Sequence, residues 1–153
     1  MIEVLDMNDR EIETMVKRVS YAHLACSRND QPYVIPVHYS YQKPDFLFYT
    51  TAGMKTEIID ANPKVCLQIE EVVDNSDWRS IIVFGEAERI EDRGAREAAV
   101  ESIREVNPTL TPAISIRWVD NWIRENVEVI YRIKPTQTTG RFSKKVFRKG
   151  AIA

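Results

Sequence analysis

The sequence is poor in the residues that build covalent or metal-held frameworks. It has only two cysteines, Cys26 and Cys66, which are too few and too far apart for a disulfide framework or a zinc cluster. No stretch approaches the roughly 20 apolar residues of a membrane-spanning helix. The first residues form neither a basic leader nor an apolar signal segment. We therefore expect a cytoplasmic protein without a metal site.

An excess of charge of one sign is also missing. The chain has 21 basic and 23 acidic residues, a net charge of −2. Attraction to nucleic acid or to an anionic membrane needs a net basic field, so neither partner is expected. The segment 141–150 is a local exception with five basic residues. It is interpreted as a solvated tail, with contact to a phosphate or to nucleic acid as the alternative.

What is present is the composition of one globular domain over residues 1–153, with 44% hydrophobic and 29% charged residues. Strands joined mostly by short turns predict a mainly β fold, a small antiparallel barrel with peripheral helices. Gly85 is expected to bend the fifth strand. Helices are predicted at 8–20, 54–61 and 92–106, and six strands at 21–28, 33–41, 46–51, 64–71, 78–91 and 127–133.

The second predicted strand, 33–41, contains a proline. Alternation predicts that Tyr33, Ile35, Val37, Tyr39 and Tyr41 face the core, and that Val34, Pro36, His38 and Ser40 face the other side. Proline cannot donate to a strand ladder, so this position indicates an edge, a bulge or a place where the strand leaves its neighbour.

Residues 50–56, TTAGMKT, stand where a strand is predicted to end and a helix to begin. Free backbone amides at a helix start attract anions, and Lys55 adds a full charge. Gly53 would permit a tight turn, and Thr50, Thr51 and Thr56 would supply hydroxyls. The segment lacks the glycine spacing of a Walker A loop. An anion site and an ordinary strand-to-helix turn both remain open.

Two further features could carry chemistry. Trp78, Arg79 and Ser80 open the fifth strand, where a guanidinium beside a hydroxyl and a large ring could form a second half of an anion site. The alternative is a surface arginine and a core tryptophan. His38 is a candidate for proton transfer or, alternatively, a hydrogen-bonded structural residue. No catalytic triad or metal-spaced cluster is legible in the sequence.

The order of these features resembles the pyridoxamine 5'-phosphate oxidase-related proteins, split-barrel binders of FMN, and within them the nitroimidazole-resistance branch. The resemblance covers residues 8–92 and is carried by LACSRNDQPYVIPVHYSY, FYTTAGMKTEIIDANPKVCLQIE and WRSIIVFGEAERIED. It implies a six-stranded antiparallel split β-barrel that forms a homodimer with FMN between the subunits. The implied cofactor-binding residues are Pro36, Val37, His38 and Tyr39 at the flavin ring, and Thr50, Thr51, Lys55, Trp78, Arg79 and Ser80 at the ribityl chain and phosphate.

The resemblance further implies an FMN-dependent oxidoreductase that acts on a small aromatic or nitro compound with a nicotinamide electron donor, with His38 as the catalytic residue. The alternative is a flavin or haem carrier without turnover. The ending GRFSKKVFRKGAIA differs from the Arg-Leu-x-Pro ending of the oxidases themselves, which argues against vitamin B6 oxidation. Trp118 and Trp122 are interpreted as core residues or as a cover for the flavin or the dimer interface.

Overall fold

The computed structural model describes residues 1–106 and 129–147 of the chain. Trp118, Trp122 and the end of the basic segment lie outside the described residues, so the interpretations of them remain predictions. None of the helices in these ranges is long and apolar enough to cross a membrane. The elements in chain order are β1 Ile2–Asp6, α1 Asp9–Arg18, β2 Tyr21–Arg28, β3 Gln31–Gln42, β4 Asp45–Thr50, α2 Met54–Ala61, β5 Lys64–Asp74, β6 Asp77–Arg89, α3 Arg93–Val106 and β7 Val129–Lys145.

The strands form one antiparallel sheet with the order β1-β7-β4-β3-β2-β5-β6. Because β6 also pairs with β7, the six strands β2 to β7 follow one another in a cycle. Strand β1 is an addition that pairs with the far half of β7, where Asp6 lies opposite Arg141. The arrangement confirms the predicted mainly β, antiparallel fold.

Two predictions about the strands were wrong. β1 was not predicted, and β7 does not end at Lys134-Pro135 but continues to Lys145. The segment 141–145 is therefore part of a strand rather than a solvated tail. The physical reason is a bulge: Gly85 lies opposite Pro135 and Phe84 opposite Gln137, so the proline sits where the register shifts. A proline at a bulge is tolerated in a ladder that would otherwise lose a hydrogen bond.

The first hairpin is tighter than the sequence predicted. Arg28 lies opposite Gln31, so the turn has Asn29 and Asp30 as its two central residues rather than four loop residues. Their φ angles of 51° and 61° are left-handed, which asparagine and aspartate tolerate better than most residues. This turn fixes the register of β2 against β3.

The core lies inside the ring of strands, and α1 covers one of its ends. A capping box begins α1 where a helix was predicted, since Asn8 Oδ1 accepts from Glu11 N at 2.8 Å and Asn8 N donates to Glu11 Oε1 at 3.0 Å. Met15 and Val16 are buried, and the hydroxyl of Tyr39 donates to the carbonyl of Val16 at 2.7 Å. α1 is thereby fastened to β3.

Replacing Gly85 with alanine should lower the free energy of unfolding by about 1–3 kcal/mol. An added Cβ would lie 2.6 Å from the backbone oxygen of Lys134 and 2.9 Å from Ile133 Cγ2, so β6 and β7 would have to separate at the bulge. Urea denaturation measures the difference. Gly53→Ala is the matched control, because its added Cβ meets nothing within 4 Å. Equal stability of Gly85→Ala and the parent protein would contradict the close packing of this bulge.

Candidate functional site

β3 and β4 part in the middle of the sheet. They pair from Gln42 opposite Asp45 to Tyr39 opposite Phe48. Beyond Tyr39, β3 continues with β2 as its only strand partner among the described residues. Pro36 lies in this one-sided part, which agrees with the third of the three alternatives that the sequence left open, a strand that leaves its neighbour. Among the described residues, the backbone of residues 36–38 therefore has a strand partner on one side only.

Two buried polar atoms near this parting have no hydrogen-bond partner among the residues that the structure describes, His38 Nδ1 and Thr50 Oγ1. His38 is one residue beyond the last β3–β4 pair, and Thr50 is two residues beyond it on the other strand. Buried polar atoms are nearly always hydrogen-bonded in native proteins. Strand alternation puts the two side chains on opposite faces of the sheet, because Thr50 shares the face of Phe48 and His38 is next to Tyr39. A single polar ligand would supply both missing partners only if it lay across the parting.

Lys55 lies just past the end of β4, in the first turn of α2. Its side chain is only 9% exposed, and Thr50 and Thr51 beside it are buried as well. Burial lowers the pKa of the Lys55 amino group, since desolvation disfavours its charged form. An anion at the start of α2 would offset that cost and would also meet the positive end of the helix dipole. The bounds of α2 are those that the sequence predicted.

The turn before α2 does not depend on the special freedom of glycine. Gly53 has a φ of 165°, which is extended backbone, and space is open around its α-carbon. The expectation of a tight glycine turn was therefore wrong. The side chain of Thr56 shapes the turn instead, because its Oγ1 accepts from Gly53 N and donates to Gly53 O, both at 2.9 Å. Thr50 and Thr51 are left as the hydroxyls that can meet a ligand.

His38 lies on the outward face of β3, against a tyrosine from β2. The rings of Tyr21 and His38 meet edge to face with centroids 5.4 Å apart, and Tyr21 meets His23 in the same way at 5.5 Å. Burial lowers the pKa of His38, so its imidazole is mainly neutral near pH 7. A neutral imidazole can donate from one ring nitrogen and accept at the other.

A pH titration followed by NMR should give a pKa for His38 below its ordinary value of 6.5, because burial disfavours the imidazolium. In the unfolded chain this ring binds its proton more readily. The contribution of His38 to stability is therefore present above pH 6.5 and is lost as the pH falls from there to the lowered pKa. The variant His38→Asn should lose less stability over that range. A pKa at or above 6.5 would contradict the desolvation of this ring.

Trp78, Arg79 and Ser80 do not form one group, because successive strand residues point to opposite faces. Ser80 Oγ accepts from Gln68 Nε2 at 3.3 Å, and Trp78 and Ser80 line the same outer groove. Arg79 instead points toward α1 and forms an ion pair with Glu71 at 3.8 Å.

These three residues are also far from Lys55 within one chain. Ser80 lies opposite Arg141 near the end of β7, whereas Thr50 lies opposite Val129, the first residue of that strand. The separation along β7 is on the order of 40 Å at the usual rise of a strand. Within one chain, Thr50, Thr51 and Lys55 therefore lie near the parting of β3 and β4. Trp78 and Ser80 lie near the other end of β7.

One hydrogen-bonded group near this site was not predicted from the sequence. Asp60, on α2, accepts from the Tyr131 hydroxyl at 2.9 Å and from Arg89 Nη2 at 2.8 Å. These bonds tie the helix that carries Lys55 to β6 and β7 and so hold it in place. Because the three residues come from distant parts of the chain, no local pattern in the sequence predicts that they meet.

Comparison with known proteins identifies relatives of this chain. A family model described as pyridoxamine 5'-phosphate oxidase matches residues 8–142. An uncharacterized protein of Rhizobium meliloti is 37% identical over 79 residues, and the match covers 52% of this chain and 52% of that protein. The chain thus aligns with about half the length of this curated relative.

Solved structures show the same fold. A FAD-binding protein from Mesorhizobium loti has a TM-score of 0.77 at 23% identity, covering 95% of this chain and 100% of that one. A candidate 5-nitroimidazole antibiotic resistance protein from Bacteroides thetaiotaomicron has a TM-score of 0.71 at 19% identity. That match covers 94% of this chain and 89% of that one. The FAD-binding protein from Mycobacterium smegmatis has a TM-score of 0.67 at 21% identity, and the match covers 92% of this chain and 100% of that one. At these identities the likeness shows a shared fold.

Proposed function

Because this chain belongs to the pyridoxamine 5'-phosphate oxidase family, we propose that it is an FMN-binding flavoprotein. We propose further that it is an oxidoreductase for a small aromatic or nitro compound, with a nicotinamide electron donor. The observation that carries the proposal is the pair of unpartnered buried atoms, His38 Nδ1 and Thr50 Oγ1, at the parting of β3 and β4. The names of two similar structures, which are described as FAD-binding, support a flavin.

In this proposal the phosphate of FMN lies at the start of α2. The buried amino group of Lys55 and the free amides of the first helical turn hold it, while Thr50 and Thr51 bond the phosphate or the ribityl chain. FMN suits this site better than FAD because its phosphate is a terminal anion. The one-sided part of β3, residues 36–39, lines the flavin ring.

The second half of the proposed site comes from another copy of the chain. Trp78 and Ser80 are too distant within one chain, so a homodimer is required for them to contact the same flavin. The outer face of the sheet supports such a dimer: Val34 and Phe84 are 63% and 47% exposed. They belong to one cross-strand row in which Ala25 and Cys66 lie between them. Exposed apolar rows of this kind mark protein interfaces. Arg79 faces the other way and is left out of this proposed site.

A bound flavin supplies the capacity to accept and pass on a hydride or single electrons. The chain orients the ring, shields it from water and supplies a side chain that can exchange a proton. Val37 and Tyr39 are buried and hold the strand against the core, so β3 keeps its position beside the ring. His38, kept neutral by the burial that lowers its pKa, can accept a proton from the substrate at one ring nitrogen and donate a hydrogen bond from the other.

The absorbance spectrum of the freshly purified full chain, with the mass of any extracted small molecule, tests the cofactor. We expect flavin bands and the mass of FMN. The mass of FAD would overturn the choice of FMN, and a haem spectrum, or no chromophore after incubation with FMN, would overturn flavin binding.

Anaerobic addition of NADH or NADPH then tests turnover. Bleaching of the flavin bands, followed by their return when a nitroaromatic compound is added, is the result expected of an oxidoreductase. A bound flavin that neither nicotinamide reduces would instead identify a flavin carrier without turnover. The two measurements therefore test the cofactor and the reaction separately.

A further inference from the structure

A second cavity lies at the end of the barrel that α1 covers. Its volume is about 300 Å³, and besides Glu11 and Thr14 its lining holds two kinds of side chain. Three are apolar, Met7, Met15 and Phe142, and three are arginines, Arg10, Arg18 and Arg79. Arg79 and Phe142 lie at the far end of the β6–β7 ladder, whereas Lys55 follows the strand residue that pairs with the start of β7. The cavity is therefore distinct from the proposed flavin site.

The arginines around this cavity carry more positive charge than their neighbours neutralise. Arg10 and Arg18 both line the cavity from α1, eight residues apart. Glu71 pairs with Arg18 and lies 3.8 Å from Arg79, and so serves both. No carboxylate of the described residues lies within ion-pair distance of Arg10. Glu11 is next to Arg10 in the sequence, but its side chain accepts from the backbone of Asn8.

The other half of the lining suits an apolar group. Met15 is 1% exposed and forms the buried floor, and Met7 and Phe142 border it. Methionine thioethers adapt to varied shapes and pack well against rings. A volume near the lower limit of ligand pockets admits a molecule of about the size of a substituted benzene ring. A bare inorganic anion would leave this floor unused.

We propose that the cavity binds a small organic anion, whose carboxylate pairs with Arg10 and Arg79 and whose apolar body packs on Met15 and Phe142. Arg79, which the sequence grouped with Ser80, thereby belongs to a different site. The proposal does not depend on flavin binding. Within one chain the cavity and Lys55 lie at opposite ends of β7. Trp78 and Ser80, which we propose meet the flavin of the other copy, are next to Arg79 in the sequence but point to the opposite face of β6.

Benzoate is the probe for this site, titrated into the full-length ¹⁵N-labelled protein and followed by NMR. We expect saturable shifts of the backbone amides of Thr14, Met15 and Phe142. Benzyl alcohol shares the ring without the charge, while acetate and inorganic phosphate share the charge without the ring. Benzoate should bind at least about tenfold more tightly than each of them, since it alone uses both halves of the lining.

Arg10→Gln should weaken benzoate binding about tenfold, because it removes a charged hydrogen-bond donor from an exposed position without disturbing the core. Arg93→Gln is the matched control, an exposed arginine on α3 that pairs with Glu97 at 3.4 Å. Equal binding of benzoate to Arg10→Gln and to the parent protein would overturn the proposal. The proposal would also be overturned if benzoate bound no more tightly than benzyl alcohol or phosphate. Amide shifts centred on Met54 and Lys55 would overturn it as well.

Discussion

Replacing Lys55 with methionine should remove flavin from the purified protein, with the dissociation constant for FMN rising at least about thirtyfold. Lys55 is only 9% exposed, so the phosphate would lose a largely desolvated charge partner. The apoprotein loses the contacts of the lysine side chain together with the desolvation cost of its buried charge, so its stability should change little. Methionine has nearly the same length without the desolvation cost that lowers the pKa of this lysine.

Two measurements separate these effects: the flavin-to-protein absorbance ratio with an FMN titration, and the melting temperature of the apoprotein. Lys64→Met is the control, since Lys64 is an exposed lysine at the start of β5. Retention of FMN by Lys55→Met at the level of the parent protein would rule out this lysine as the phosphate ligand. A large drop in the melting temperature of the apoprotein would show that Lys55 is a structural residue instead.

Replacing Phe48 with alanine should lower the free energy of unfolding by about 3–5 kcal/mol. The ring is fully buried and stacks on Tyr131 with centroids 5.2 Å apart. It also belongs to the last pair before β3 and β4 separate, Tyr39 opposite Phe48. Its loss opens a cavity at the point that positions Thr50, so FMN affinity should fall together with stability.

Urea denaturation of the apoprotein measures the loss, and an FMN titration under native conditions measures the coupled effect on binding. Phe147→Ala is the control, because that ring is 83% exposed and its removal should change stability by less than about 0.5 kcal/mol. A loss below about 1 kcal/mol in Phe48→Ala would mean that the barrel interior tolerates the cavity, contrary to the tight packing of native cores.

Several parts of this protein were predictable because their signals are local. The capping box at Asn8 and the proline after Asn62 bound α1 and α2 at or near the predicted residues. The alternation of residues 33–41 predicted which face of β3 is buried. The same alternation, applied to residues 78–80, would have separated Arg79 from Ser80. That grouping rested on the adjacency of the three residues in the sequence rather than on the period of a strand.

Other parts depended on contacts that no sequence window contains. Pro135 is a reasonable strand end by itself, and only the bulge opposite Gly85 allows β7 to continue past it. The bonds of Asp60 to Arg89 and Tyr131 join three elements, and the cavity beneath α1 joins arginines from a helix and a strand. Local patterns cannot anticipate these groups, because the chain brings them together only when the sheet closes.

The sequence by itself determined the mainly β class, the strand-to-helix junction with its lysine and the strand that leaves its neighbour at Pro36. Each of these follows from periodicity, capping or the missing amide of proline, which act within a few residues. The tertiary structure decided that Lys55 is buried, that His38 and Thr50 present unpartnered polar atoms at one parting of strands, and that Arg79 belongs elsewhere. Burial and the direction of a side chain depend on which strands become neighbours, and that is a property of the whole sheet.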